Sequence, residues 1–255
     1  MSTQRLTRLC TTGALVAAAL ASPVTLLADD PHSVTANIGV VSNYLWRGVS
    51  QTGDDAAVQG GLDYAHSSGF YAGTWASNVD FGDGGAYELD LYTGFGGDIN
   101  DDFSWDVNAI YYAYPSSNTR DSNFAEIGAS GTWKWFKLGL AYTVYGENDD
   151  GLFDNGDVYY YGGFEYGELP YGLSFEAHAG YYDFRNDSVV YDIVDVDGLE
   201  VELTETADYW GFGASISKDA GDFGTFTFAW DQNNGKTEVG YDNDPKIWVG
   251  WNKEF

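Results

Sequence analysis

Segments of about ten residues in which apolar and polar side chains alternate recur along most of this chain, separated by clusters of Gly, Asp, Asn and Ser. No other feature restricts the fold as strongly. A period of two sends successive side chains to opposite faces of an extended strand, whereas a helix needs a period near 3.6. From Val34, the set Val34, Ala36, Ile38, Val40, Tyr44 and Trp46 opposes Thr35, Asn37, Gly39 and Asn43. From Phe103, the set Phe103, Trp105, Val107, Ala109 and Tyr111 opposes Ser104, Asp106 and Asn108. From Phe136, the set Phe136, Leu138, Leu140, Tyr142 and Val144 opposes Lys137, Gly139 and Thr143.

Extended along the chain, the pattern predicts twelve strands, at 34–47, 56–66, 69–81, 86–97, 102–114, 123–131, 133–145, 157–167, 171–184, 207–217, 223–231 and 245–255. Their connections alternate in length. Links such as Gly167-Glu168-Leu169-Pro170 are short, whereas Gly146 to Gly156, Arg185 to Thr206 and Gln232 to Asp244 are long. An even number of antiparallel strands, with short turns at one end and long loops at the other, is the pattern of a transmembrane β-barrel with both termini in the periplasm. A soluble sandwich has no reason to sort its loops in this way.

The apolar faces fit the same expectation. A lipid-facing belt carries aliphatic residues in the middle and aromatic girdles at both interfaces. Ile38, Val58, Leu62, Leu89, Leu91, Val107, Ile127, Leu138, Leu140, Ala177 and Val249 are assigned to the middle. Tyr64, Tyr71, Trp105, Trp133, Phe164, Tyr166 and Trp251 are assigned to the periplasmic girdle. The extracellular girdle takes Tyr44, Trp46, Phe81, Tyr87, Tyr111, Tyr142, Tyr181, Trp210 and Trp230. In the last strand Ile247, Val249, Trp251 and the terminal Phe255 share one face, the arrangement of a C-terminal signal for the barrel-insertion machinery. Lys253 falls on the same face, near the interface, where a long side chain can reach back to water.

The N-terminal stretch stands apart. Arg5 and Arg8 precede an apolar run from Gly13 to Leu20, followed by Ala19-Leu20-Ala21. This reads as a secretory signal peptide, residues 1–28, with cleavage after Ala28 or alternatively Ala21, leaving a barrel over 29–255. The run is too short for the roughly 20 residues of a spanning helix. Cys10, the single cysteine, lies inside it, so the mature chain has no disulfide and no thiolate metal site.

Removing two of the 11 basic residues with the leader leaves nine against 39 acidic ones. That balance excludes a nucleic-acid partner, which needs clustered Lys and Arg. Disorder is excluded too: disordered chains are poor in aromatics, and this one has 20 Tyr, 15 Phe and 9 Trp.

The segments SNYLWRGVSQT from Ser42 and AVQGGLDYAHSSGFYAGTWASNVDF from Ala57, with the aromatic-terminated last strand, resemble the TorF family of Gram-negative outer-membrane porins. The likeness is specific over about the first fifth of the chain. It implies an outer-membrane barrel with channel activity and names no solute.

If the apolar faces meet lipid, the alternate positions face the lumen. The expected lining is Arg47, Asp63, Asp80, Glu88, Asp90, Asp106, Glu126, Lys137, Glu165, Glu176 and Asp183, with Lys246, Tyr92, Tyr112 and Tyr161. Carboxylate rings favour cations in a pore. The expected function is passive diffusion of small solutes with a preference for cations; a closed structural or adhesive barrel is the alternative, and a soluble periplasmic barrel a weaker one. Arg47 is expected to pair with a lumen carboxylate rather than to grip an anionic solute. Ser174, Glu176 and His178 alternate onto one lumenal row, but residues two apart on a strand are about 7 Å apart, which is long for a nucleophile and its base. No enzyme activity is expected. The loop from Glu147 to Asp157 departs from the EF-hand pattern and reads as a solvated acidic loop. No metal or cofactor is expected. The expected partners are outer-membrane lipid, the insertion machinery and small solutes.

Overall fold

The computed structural model describes residues 31–82, 86–115, 122–147, 152–186, 188–196 and 199–255. The signal-peptide expectation, Cys10 included, and part of the 147–157 loop lie outside them.

The chain forms a closed antiparallel barrel of twelve strands. In chain order the wall is built by β1 (His32–Val41), β4 (Ala57–His66), β5 (Phe70–Val79), β6 (Ala86–Asn100), β7 (Phe103–Ala113) and β8 (Phe124–Trp133). It continues with β9 (Phe136–Gly146), β10 (Val158–Leu169), β11 (Leu173–Asp183), β14 (Tyr209–Asp219), β15 (Thr225–Asn233) and β16 (Lys246–Glu254). Each of the twelve sequence-predicted segments overlaps one wall strand. Two small hairpins are additional: β2 (Leu45–Trp46) with β3 (Val49–Ser50), and β12 (Ser188–Val196) with β13 (Leu199–Thr206). The second lies in the long link 185–206, where the Asp-Val repeats between Ser188 and Glu202 point to a hairpin.

Closure is made by β1 against β16, with Val40 opposite Trp251 and Ile38 opposite Lys253. Ala36 and Phe255 exchange backbone hydrogen bonds of 3.1 and 2.8 Å at the foot of this seam. The last residue therefore completes the ladder as well as the outer face. Closure leaves the wall without an open edge.

The outward face is apolar. Leu138 is 73% exposed and Val34 71%, and Val58, Leu62, Phe228, Ile247 and Val249 are likewise open. A belt this continuous has to be covered by something apolar. Among the described residues, no helix is long and apolar enough to cross a membrane.

Three expected girdle residues face inward instead. The first strand ends at Val41, not at residue 47, because its ladder with β16 stops where Ser42 bonds Val249 through both its amide and its hydroxyl. Tyr44 and Trp46 consequently leave the wall and are buried in the lumen. Tyr71 shares the inward face of β5 with Gly73, the partner of Asp63, and its hydroxyl donates to Asp106 at 2.8 Å. Phe70 and Tyr71 are adjacent aromatics, and alternation alone cannot decide which of them faces out.

Candidate functional site: the lumen and its inward hairpin

The segment 42–56 folds into the barrel. Its tip is a two-residue hairpin turn, with Leu45 opposite Ser50 and Trp46 opposite Val49. Arg47 and Gly48 supply φ of 52° and 84°, the left-handed pair that a tight turn between twisted strands requires. Polar residues at the two ends of the segment knit its base. Asn43 accepts from the hydroxyl of Ser50 at 2.7 Å and donates to Asp54 at 2.7 Å. Gln51 donates its amide to the Tyr44 carbonyl at 2.7 Å and accepts at its own carbonyl from the amide of Asp80, just past the end of β5. In SNYLWRGVSQT the polar flanks thus build the base and the Tyr-Leu-Trp-Arg centre builds the plug.

The plug reaches eight of the twelve wall strands. Tyr44, 0% exposed, sits edge-on to Trp75 of β5, and its hydroxyl donates to Glu88 of β6 at 3.2 Å. Trp46 meets Tyr112 of β7, Phe124 of β8 and Tyr182 of β11, with Phe153 packed beside it from the β9–β10 connection. The Arg47 guanidinium lies over the rings of Trp46, Tyr159 of β10 and Tyr182, at 4.2, 4.1 and 4.9 Å. It forks onto both carboxylate oxygens of Glu126 of β8, at 2.9 and 2.6 Å. Gly48 rests against Gly211 of β14, and its carbonyl accepts from Asn233 of β15 at 2.9 Å. The side chains of Arg47 and Glu126 are 5% and 2% exposed, so this charge pair is desolvated and its strength depends on good geometry. Tyr112 and Tyr182 also donate to Glu126, at 3.3 and 3.5 Å.

Cross-strand partners lie on one face of a sheet, so the register locates the remaining expected lining residues. One row runs Asp63, Gly73, Tyr92, Ile110, Glu126 across β4 to β8. A second runs Lys137, Gly163, His178, Gly213, Asp231 across β9 to β15. Glu165 pairs with Glu176, and Asp90 with Tyr112. Asp63, Glu88, Asp90, Asp106, Glu126, Lys137, Glu165 and Glu176 therefore share the inward face. Tyr92 donates to Asp63, and Asn108 to Asp106 at 2.8 Å.

Two expected lining residues are elsewhere. Asp183 pairs with Val158 and is exposed on the face opposite Tyr182, because an odd separation from Glu176 puts the two carboxylates on opposite faces of one strand. Asp80 follows the end of β5 and is exposed at the rim, where its carboxylate accepts from the Gly82 amide at 2.8 Å. Lys246 pairs with Asp231 on the inward face, and near the rim it bridges Asp54 and Asp242 at 2.7 and 2.5 Å. Lysine clamped between two carboxylates lowers the pKa of Asp242 below the usual range, chiefly through its hydrogen bond.

His178 engages Asp231, with Nε2 3.0 Å from Oδ1, and its Nδ1 is 3.9 Å from Glu176. Trp248 donates to the other oxygen of Asp231 at 2.7 Å. Sequence reasoning did not single out Asp231, Trp248, Tyr159 or Tyr182 for the interior. The one local sign of an inward hairpin was the Arg47-Gly48 pair between polar flanks.

A closed twelve-stranded barrel with an apolar outside, a charged inside and a chain segment folded across its lumen defines a porin-like β-barrel protein. The chain belongs to the family described as bacterial protein of unknown function (Gcw_chp), whose model matches residues 26–249. That description states no activity and does not carry the TorF name. No curated protein matches the sequence. Among solved structures, the KdgM porin is similar with a TM-score of 0.51 at 8% identity, over 87% of this chain and 99% of that one. The outer membrane protein OprD from Pseudomonas aeruginosa is similar with a TM-score of 0.44 at 12% identity, over 79% of this chain and 59% of that one. At 8% identity the likeness to the KdgM porin shows the fold alone.

Proposed function

We propose that the protein is an outer-membrane channel for passive diffusion of small solutes, with a preference for cations. The observation that carries this reading is the sorting of side chains across one closed wall. Leucine, valine and phenylalanine cover the outside, while carboxylates outnumber cations on the inside. The outer belt suits lipid. Asp63, Asp106, Glu165, Glu176 and Asp231, set against Lys137 and His178, suit cations or neutral solutes better than anions. The fold shared with the KdgM porin supports the channel, and the TorF resemblance supports it further.

In this reading residues 1–28 direct export and are removed. Ile247, Val249, Trp251 and Phe255 present the last strand to the insertion machinery, and both termini face the periplasm. The test is reconstitution of the mature protein in planar bilayers under a salt gradient. Stepwise conductance with a cation-selective reversal potential is expected; anion selectivity sinks the cation preference, and no conductance in the mature protein or in any folded variant lacking the lumenal hairpin sinks the channel.

The hairpin across the lumen favours a second reading, a closed structural or adhesive barrel. It predicts a heat-shifting, detergent-extracted barrel without conductance in any variant.

A further inference from the structure

We infer that the β2–β3 hairpin is a gate and that the Arg47–Glu126 pair is its latch. This rests on the channel reading above.

The hairpin is covalently tied to the wall at its base, and its tip is held across the lumen by side-chain contacts, among them the bond that the Asn233 side-chain amide donates to the Gly48 carbonyl. Among the described residues, no strand of the wall pairs with β2 or β3; they pair with each other. Withdrawing the hairpin therefore breaks no ladder bond of the barrel, and closure of the wall through β1 and β16 is independent of it. A segment folded as part of the wall lacks that freedom.

The seal is also specific in one place. Glu126 receives Arg47, Tyr112 and Tyr182 at once, and Arg47 comes from the hairpin while the other two come from the wall. Neutralising Glu126 removes the only carboxylate within ion-pair distance of Arg47 among the described residues. A desolvated guanidinium without its counter-charge is strongly unfavourable, and hydration on leaving the plug relieves it. The hairpin is incompletely bonded where it is most buried: among the described residues, Trp46 Nε1 and Arg47 Nε have no hydrogen-bond partner. Buried donors of this kind gain by reaching water, and both lie on the element that would move. By contrast the base is fully knit through Asn43, Ser50 and Thr52, which makes it the hinge.

The experiment compares the mature wild type with Glu126→Gln and with a barrel whose residues 43–52 are replaced by a Gly/Ser linker. A fourth protein adds Gly48→Cys and Asn233→Cys to Glu126→Gln. A Cβ on Gly48 would lie 3.5 Å from the Cβ of Asn233, within disulfide reach, and the mature chain holds no competing cysteine. Heat-dependent gel mobility verifies that each is a folded barrel. Glu126→Gln should raise the mean open-channel current several-fold, toward the level of the linker barrel. Oxidation of the cysteine pair should return it to the wild-type level, and reductant should restore it. If the linker barrel conducts but Glu126→Gln matches the wild type, the latch is wrong and the channel reading stands. If oxidation leaves the current unchanged, hairpin movement is wrong. If every folded variant is silent, the channel reading fails and takes the gate with it.

Discussion

Gly211 on β14 leaves room for the backbone carbonyl of Arg47: a Cβ at that position would stand 2.5 Å from the oxygen. The hairpin tip and the wall meet backbone to backbone, so the wall itself carries the imprint of the plug.

Gly211→Val should therefore push the tip out of its seat. Overpacking of this kind costs about 1–3 kcal/mol. The expected result is a lower urea midpoint for the heat-modifiable gel shift together with a higher bilayer conductance. A variant with wild-type midpoint and current would show that the contact is not tight.

Gly48→Ala tests the turn. The position needs φ of 84°, which a residue with a side chain adopts at a cost of about 1 kcal/mol. A loss of that size, with secondary structure by circular dichroism unchanged, is expected because the wall does not depend on the turn.

The ion pair should be non-additive. Removing one partner of a buried pair typically costs about 3–5 kcal/mol, while replacing both by apolar residues costs much less. Arg47→Leu and Glu126→Leu should each be more destabilising than the double variant in urea unfolding. Equal additive losses would mean that the charges act separately.

The outer belt predicts a sharp difference between neighbours on β9. Leu140→Arg places a charge on the outer face and should cost about 2–4 kcal/mol if that face meets the bilayer midplane. Lys137→Gln, on the inner face, should change stability by less than about 1 kcal/mol. Unfolding in lipid vesicles separates the two, and equal tolerance would argue against a lipid-covered belt.

Selectivity should follow the inner carboxylates. Glu176→Gln combined with Asp106→Asn removes two inward negative charges without touching the hairpin, and the cation-to-anion permeability ratio should fall. An unchanged reversal potential would place the selecting charges elsewhere.

Much of the wall was legible because a strand at a boundary between apolar and polar surroundings writes its environment into every second residue. The row containing Lys137 and the set containing Leu138 and Leu140 are separable without any structure. Errors arose where that signal is weak: adjacent aromatics at Phe70 and Tyr71, and strand ends at Asp80 and Asp183. Val34 to Trp46 posed a harder case. Its alternation continues into Tyr44 and Trp46, although the ladder ends at Val41. A buried aromatic and a lipid-facing aromatic look the same in a sequence, since both are simply kept from water.

Local pattern, then, was enough to determine the twelve wall strands, most of their faces and the alternation of short and long links, because each depends on residues close in the chain. Register around the barrel and the fate of residues 42–56 were decided only by the tertiary structure. The Arg47–Glu126 pair joins positions 79 apart in the chain, and several carboxylates on the inward face were equally plausible partners. Choosing among them required closure of the wall, which sets how far across the lumen the hairpin reaches and which strand it meets.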